Sequence, residues 1–120
     1  MKRMLTVLFL LAAINAFAQG DTLKARKARS KIDEEVIVKA MVAGSKIIDK
    51  DGKRILILSL DKPYPNTPLQ VIFFNKAYTD LNLQYLLDGK TIIIKGTVTI
   101  YNDRSQIIVS DVHNFTVLPN

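Results

Sequence analysis

Apolar and polar residues alternate through residues 92–100 in the pattern of a strand that buries one face. Ile92, Ile94, Val98 and Ile100 share that face, and the residues between them are mostly polar. Gly96 falls on the apolar face in mid-strand, where a missing side chain usually marks a bulge or a sharp bend. The pattern therefore predicts a strongly coiled strand, followed by a turn at residues 102–105 and a second strand to residue 111.

Three earlier stretches, residues 36–43, 54–61 and 69–75, are also predicted to be strands. Residues 44–53 between the first two are polar and contain Asp51-Gly52, a strong turn signal, so we expect a connection and a hairpin there. Residues 62–68 hold three prolines, which cannot donate to a β-ladder and so interrupt the pairing. The inward-facing residues should be Val36, Val38, Ala40, Val42, Leu56, Leu58, Leu60, Leu69, Val71 and Phe73.

Residues 76–88 are predicted to form a short helix. Tyr78, Leu81 and Tyr85 recur at helical spacing, Thr79 is a candidate N-cap, and Gly89 stands just past the end. An apolar stripe of this kind normally packs into the core, so we expect the helix to close one end of the sheet.

The resulting order, three strands, a helix and two strands, predicts an all-β protein with one short helix between strands 3 and 4. In so small a domain this order is typical of the five-stranded Greek-key barrel called the OB-fold. Its second and third strands, with the first and last loops, form the usual ligand surface.

The first 18 residues have the pattern of a secretory signal peptide. Lys2 and Arg3 precede an apolar run that is too short to span a membrane, and Ala16 and Ala18 have the spacing of a cleavage site before Gln19. The chain contains no cysteine, so it can form no disulfide and carry no lipid on a cysteine. We therefore expect a periplasmic or secreted bacterial protein without stable membrane insertion.

Charge is distributed unevenly along the chain. The sequence has 17 basic and 11 acidic residues and a formal charge of +6, but residues 32–120, the predicted domain, contain equal numbers of each. The excess beyond the signal peptide lies in residues 19–31, predicted to be a flexible basic leader. That leader has two interpretations, a solvated segment or an arm that binds phosphates. Its basic residues are Lys24, Arg26, Lys27, Arg29 and Lys31.

Two blocks of sequence resemble a known family. LSLDKPYPNTPLQVIFFN and GKTIIIKGTVTIYNDRSQIIVSD are similar to small bacterial OB-fold domains of the tRNA-anticodon-binding-like type, including exported ones and ones beside secreted nucleases. The resemblance implies binding of nucleic acid, or less often of another ligand, through the barrel face. It places Tyr101, Asn102, Asp103 and Arg104 in the loop between the last two strands, and Gln106, Ser110 and Asp111 in the strand that follows.

The candidate nucleic-acid-binding residues combine aromatic platforms, cations and polar groups. They are Lys53, Arg54, Tyr64, Phe74, Tyr101, Asn102, Arg104 and Gln106. Each also has a structural interpretation: Phe74 packing against the helix, Arg104 capping a turn, and Tyr64 fixing the proline-rich loop. The basic run around the first hairpin, which includes Lys46, is interrupted by Asp49 and Asp51, so a solvated turn and a phosphate site both stay open.

Catalysis and metal binding are not expected. His113 is the single histidine, and without cysteine the ordinary zinc ligands are lacking. No serine lies in a nucleophile motif, so we predict a non-enzymatic protein without a cofactor. Two functions are consistent with the sequence: an exported module that binds single-stranded DNA or RNA weakly, with a nuclease or envelope protein as a further partner, and an envelope module that binds a protein, a small ligand or an oligosaccharide.

Overall fold

The computed structural model of the chain describes residues 21–83 and 86–119. The predicted signal peptide, its cleavage site and Tyr85 of the predicted helix lie outside the described residues. Among the described residues, no helix has both the length and the apolar character needed to cross a membrane.

The structure is mostly β, with one α-helix between the third and fourth strands. This confirms the predicted class and the position of the helix, while a short sixth strand was not predicted. The elements are β1 (Glu35–Lys50), β2 (Lys53–Leu60), β3 (Leu69–Phe73), α1 (Asn75–Leu81), β4 (Thr91–Tyr101), β5 (Arg104–Val109) and β6 (Phe115–Val117), with 3-10 helices at Ala25–Lys31 and Val112–Asn114.

The strand pairings follow a ring. β1 pairs with β2, β2 with β3, β3 in parallel with β5, β5 with β4, and β4 again with β1. β1 takes part twice because it is long: residues 35–41 pair with β4, and residues 42 and 44–50 pair with β2, with an irregularity in the register between Val42 and Gly44. β6 extends the sheet along β4.

Residues 44–50 correct one prediction, because they belong to β1 and not to a loop. They pair residue by residue with β2 as far as Lys50 and Lys53. Most of their side chains are exposed. This part of the strand can therefore be largely polar and lacks the alternation of a strand that packs on the core. The turn at Asp51 and Gly52 is confirmed, and both residues have positive φ.

Gly96 marks the place where β4 changes its neighbour. Residues 91–97 pair with β1, and residues 98–101 pair with β5. A Cβ atom at Gly96 would lie 2.5 Å from Cγ2 of the buried Ile107, so the two strands approach as they do because position 96 has no side chain. Ile92, Ile94 and Val98 are buried as predicted, whereas Ile100 is 42% exposed, beyond this point.

The core lies inside the ring. The predicted inward residues of β2 and β3 are all buried, which confirms the period-2 interpretation of both strands. The unpredicted β6 adds Phe115, whose ring meets that of Phe73 edge to face with centroids 5.0 Å apart.

α1 is shorter than predicted. It begins at Asn75 and ends at Leu81, because Asn82 takes the left-handed conformation with φ 49°. Thr79 is therefore not an N-cap: it lies inside the helix, where its hydroxyl donates to the Asn75 carbonyl. Ala77 is buried and Tyr78 packs against the core.

Candidate functional site

A groove of about 560 Å³ crosses the outer face of β2, β3 and β5. Strand alternation explains it, because Leu58, Val71 and Ile107 point into the core and their sequence neighbours must then point outward. The β2–β3 loop and the end of β4 each add a tyrosine ring. The lining residues are Lys46, Ile57, Ser59, Tyr64, Gln70, Ile72, Tyr101, Asn102, Arg104 and Gln106.

Two tyrosines flank this groove. Tyr64 in the β2–β3 loop is 63% exposed, and Tyr101 at the end of β4 is 64% exposed. Exposed rings of this kind offer flat apolar surfaces on which a planar ligand can stack.

Arg104 joins the proline-rich loop to the sheet. Its guanidinium carbon lies 4.4 Å from the centroid of the Tyr64 ring, a cation–π contact, and its Nη1 donates to the Pro65 carbonyl at 2.9 Å. Arg104 therefore orients Tyr64 as well as supplying a positive charge. Within the same loop, the Thr67 hydroxyl oxygen lies 2.9 Å from the carbonyl oxygens of both Leu60 and Leu69.

The β4–β5 turn forms the rim of the groove. Asn102 and Asp103 both have positive φ, and Tyr101 is the Cα partner of Arg104. This is the geometry of a two-residue hairpin turn, for which asparagine and aspartate are well suited. The turn thus keeps Tyr101, Asn102 and Arg104 together.

Five of the eight predicted barrel-face residues line this groove: Tyr64, Tyr101, Asn102, Arg104 and Gln106. The structure does not bring the other three to it. Lys53 follows the β1–β2 turn, Arg54 lies beside Asp49 with Nε and Oδ1 3.4 Å apart, and Phe74 is the 47%-exposed N-cap of α1.

Sequence reasoning missed four lining residues, Ile57, Ser59, Gln70 and Ile72. The signal was available, since each alternates with a predicted core residue on β2 or β3. Among the described residues that line the groove, Lys46 and Arg104 are charged and no carboxylate is present. The groove is therefore locally positive although the domain as a whole is not.

The basic segment differs from the flexible leader that was predicted. Residues 25–31 form a 3-10 helix in which Ala25 and Ala28 are completely buried. Leu23 and Ile32 flank it and form bridges with Val38 of β1 and Val98 of β4. The sequence ARKARSK places two small residues, Ala25 and Ala28, three positions apart, which suits the three-residue turn of a 3-10 helix. Because the segment is also densely charged, it has the composition of a flexible leader, and its buried face was not predicted.

Packing of this helix directs its cations outward and brings one of them to the groove rim. Lys24, Arg26 and Lys27 are exposed. Arg29 reaches the β4–β5 turn, where its Nη2 lies 2.7 Å from Oδ1 of Asp103 and its Nη1 donates to the Asp103 carbonyl at 2.8 Å. The basic helix and the groove therefore meet at this turn.

His113 takes part in a local cap. Asp111 Oδ1 accepts a hydrogen bond from the backbone N–H of His113 and lies 2.8 Å from its Nδ1. These contacts, led by the backbone hydrogen bond, lower the pKa of Asp111. In residues 21–83 and 86–119, no three metal-ligating side chains are grouped.

Comparison with known proteins gives a likeness of fold. No protein-family model matches the sequence. No curated protein matches it either. Among solved structures, yeast Stn1 and Ten1 match with a TM-score of 0.51 and 16% identity over 72% of this chain. RecG bound to a three-way DNA junction matches with a TM-score of 0.50 and 22% identity over 74%. The chain spans 43% and 11% of those two chains, and what it shares with them is the fold.

Proposed function

We propose that this protein is an exported bacterial OB-fold module, a closed five-stranded barrel that binds single-stranded nucleic acid in the groove across β2, β3 and β5. One observation supports this above all. Exposed Tyr64 and Tyr101 flank a groove whose charged lining residues, within the described chain, are Lys46 and Arg104.

The chemistry of the groove suits a single strand better than a duplex. Unpaired bases expose flat faces that stack on tyrosine rings, and the phosphates between them are attracted to lysine and arginine. In a duplex those faces are covered by neighbouring base pairs. RecG, whose structure is similar in fold, is bound to a three-way DNA junction, which is consistent with nucleic acid as the ligand.

The remaining parts of the proposal follow from sequence. The signal-peptide pattern of residues 1–18 favours export to the periplasm or beyond, and a family resemblance to the tRNA-anticodon-binding-like type favours nucleic acid. We propose a binding protein and not an enzyme, with a secreted nuclease or an envelope protein as a further partner.

The test is titration of the purified chain into fluorescein-labelled single-stranded DNA and RNA, followed by anisotropy at two salt concentrations. We expect Tyr101→Ala to weaken binding by about 1–3 kcal/mol, the contribution of one stacked base. Phe74→Ala is the matched control, because Phe74 is a similarly exposed ring outside the groove. Equal losses in both variants would place the ligand elsewhere.

An oligosaccharide is the second candidate ligand. Rings of Tyr64 and Tyr101 beside the amides of Gln70 and Gln106 could hold a sugar as well as a base, and OB-folds are used for both ligand classes. Binding of a neutral glycan would be almost independent of salt, whereas binding of a phosphate-bearing strand weakens as salt rises. The same titration with neutral glycans therefore separates the two functions.

A further inference from the structure

A row of polar side chains crosses the floor of the groove. Ser59 of β2 is the Cα partner of Gln70 on β3, and Gln70 is the partner of Gln106 on β5. Cα partners in neighbouring strands project to the same face. Gln70 and Gln106 therefore lie side by side and are half-buried. Ile57 of β2 and Ile72 of β3 also line this face.

These two amides are available to a ligand. Within residues 21–83 and 86–119, neither side chain forms a hydrogen bond, although a glutamine amide can donate two and accept two. Stacking on Tyr64 or Tyr101 tolerates any base. Hydrogen bonds to an amide, by contrast, depend on which donors and acceptors the base presents. The floor of the groove therefore offers directional hydrogen-bonding groups, whereas its flanks offer rings for stacking.

We infer that Gln70 and Gln106 make the groove selective among nucleobases, by hydrogen bonding to the edge of a base that stacks on a flanking tyrosine. This inference rests on the proposed function and deepens it from unspecific to base-selective binding. Each base edge presents its hydrogen-bond donors and acceptors in its own order and spacing. Two amides fixed on neighbouring strands match one such arrangement better than the others.

The position of Arg104 on β5 also supports this inference. It precedes Gln106 by two residues on β5 and so projects from the same face, and its contact with Tyr64 places a ring beside the row of amides. A base stacked on that ring would present its edge toward the floor. The cation would be near the phosphate of the same nucleotide.

The experiment measures the affinity of the purified chain for short homopolymers of deoxyadenosine, deoxycytidine and thymidine at one salt concentration. We expect the best and worst homopolymers to differ by about tenfold, the discrimination of one good bidentate contact. In Gln70→Leu and Gln106→Leu, the difference should fall to about twofold or less. The salt dependence should not change, because no charge is removed.

Two controls keep this result interpretable. Asn114→Leu removes an exposed amide that does not line the groove, and it should leave the preference among homopolymers intact. Thermal melting reports whether each variant is folded, and both glutamines lie on the outer face, away from the core.

Three results would overturn the inference. Similar affinities of the wild-type chain for all three homopolymers would show that the amides do not discriminate, while leaving nucleic-acid binding in place. A preference that persists in both leucine variants would assign selectivity to other residues. No binding of any strand, together with glycan binding lost in the leucine variants, would reject the proposed function itself.

Discussion

Gly96 shows how a single residue shapes the sheet. It lies where β4 passes from β1 to β5, and Cγ2 of Ile107 is only 2.5 Å from the position that a Cβ atom would take. Ile107 is completely buried, so its side chain has little room to move. Any side chain at position 96 must therefore push the strands apart or force a poor rotamer.

We expect Gly96→Ala to destabilise the protein by about 1–3 kcal/mol. Gly44→Ala is the matched control, because a Cβ there would meet only Pro63 Cβ at an ordinary 3.9 Å. Urea denaturation of both variants measures the difference in the free energy of unfolding. Equal stabilities would mean that β4 and β5 can separate at this point without cost.

Arg104 has two roles that substitution can separate. In Arg104→Lys the positive charge remains, but lysine cannot reproduce the planar stacking on Tyr64 while it donates to Pro65. We expect affinity for a single strand to fall by about 1 kcal/mol with an unchanged salt dependence. An affinity equal to wild type would show that only the charge of Arg104 matters.

The 3-10 helix at residues 25–31 is an element with a structural face and a charged face. Ala25 and Ala28 belong to the buried core, so deleting the segment would expose core residues, and a loss of binding could then not be told from a loss of stability. Neutralising Lys24, Arg26 and Lys27 together to glutamine leaves the packed face intact. If these cations bind phosphates, the slope of log affinity against log salt should become shallower by about two.

The control for that variant is Lys76→Gln on α1, where Lys76 is paired with Asp80 at 2.8 Å. Its salt dependence should equal that of the wild type. An unchanged slope in the triple variant would identify the basic helix as a packing element only.

The short helix at Val112–Asn114 depends on its cap. The folded pKa of Asp111 is lowered, chiefly by the hydrogen bond from the His113 N–H, so the cap stabilises the fold above the ordinary aspartate pKa and is lost as pH falls through the lowered value. Asp111→Ala should therefore reduce the melting temperature at neutral pH. The difference from wild type should disappear in acid, and a difference that persists there would refute the charge-based explanation.

Comparison of elements shows which sequence signals are reliable in this chain. The faces of β2 and β3 and the turns at Asp51 and Asn102 were predictable, because strict alternation and positive-φ residues are local signals. The end of β1 was not, because an exposed strand has a loop-like composition. β6 is only three residues long, too short for any period to appear.

The candidate site was predictable only in part, because some of its residues matter through their position in the sheet and not through their residue type. Tyr64, Tyr101 and Arg104 belong to residue types associated with nucleic acid, and so the sequence alone singled them out. Gln70 gains its importance from the register between β3 and β5, which is a property of the whole sheet. Phe74 had the expected chemistry but lies one residue beyond the end of β3.

For the whole molecule, the basic helix and the groove form one surface around the β4–β5 turn, joined by Arg29 and Asp103. This pair is exposed, with 56% and 90% of the two side chains accessible, so its own contribution to stability should be small. Its significance is one of position, because under the proposed function a strand that leaves the groove over this turn would next approach the cations of the helix.

The final prediction is that stacking and charge contribute independently to binding. Tyr101→Ala should lower affinity equally at low and high salt, because it removes a ring and no charge, whereas the triple glutamine variant of the helix should matter mainly at low salt. Anisotropy titrations of both variants and their combination complete a double-mutant cycle. We expect the losses to add within about 0.5 kcal/mol, as for separate contacts. A larger coupling would mean that the strand reaches the helix only when a base is held at Tyr101, so that the groove positions the ligand for the charges beyond the turn.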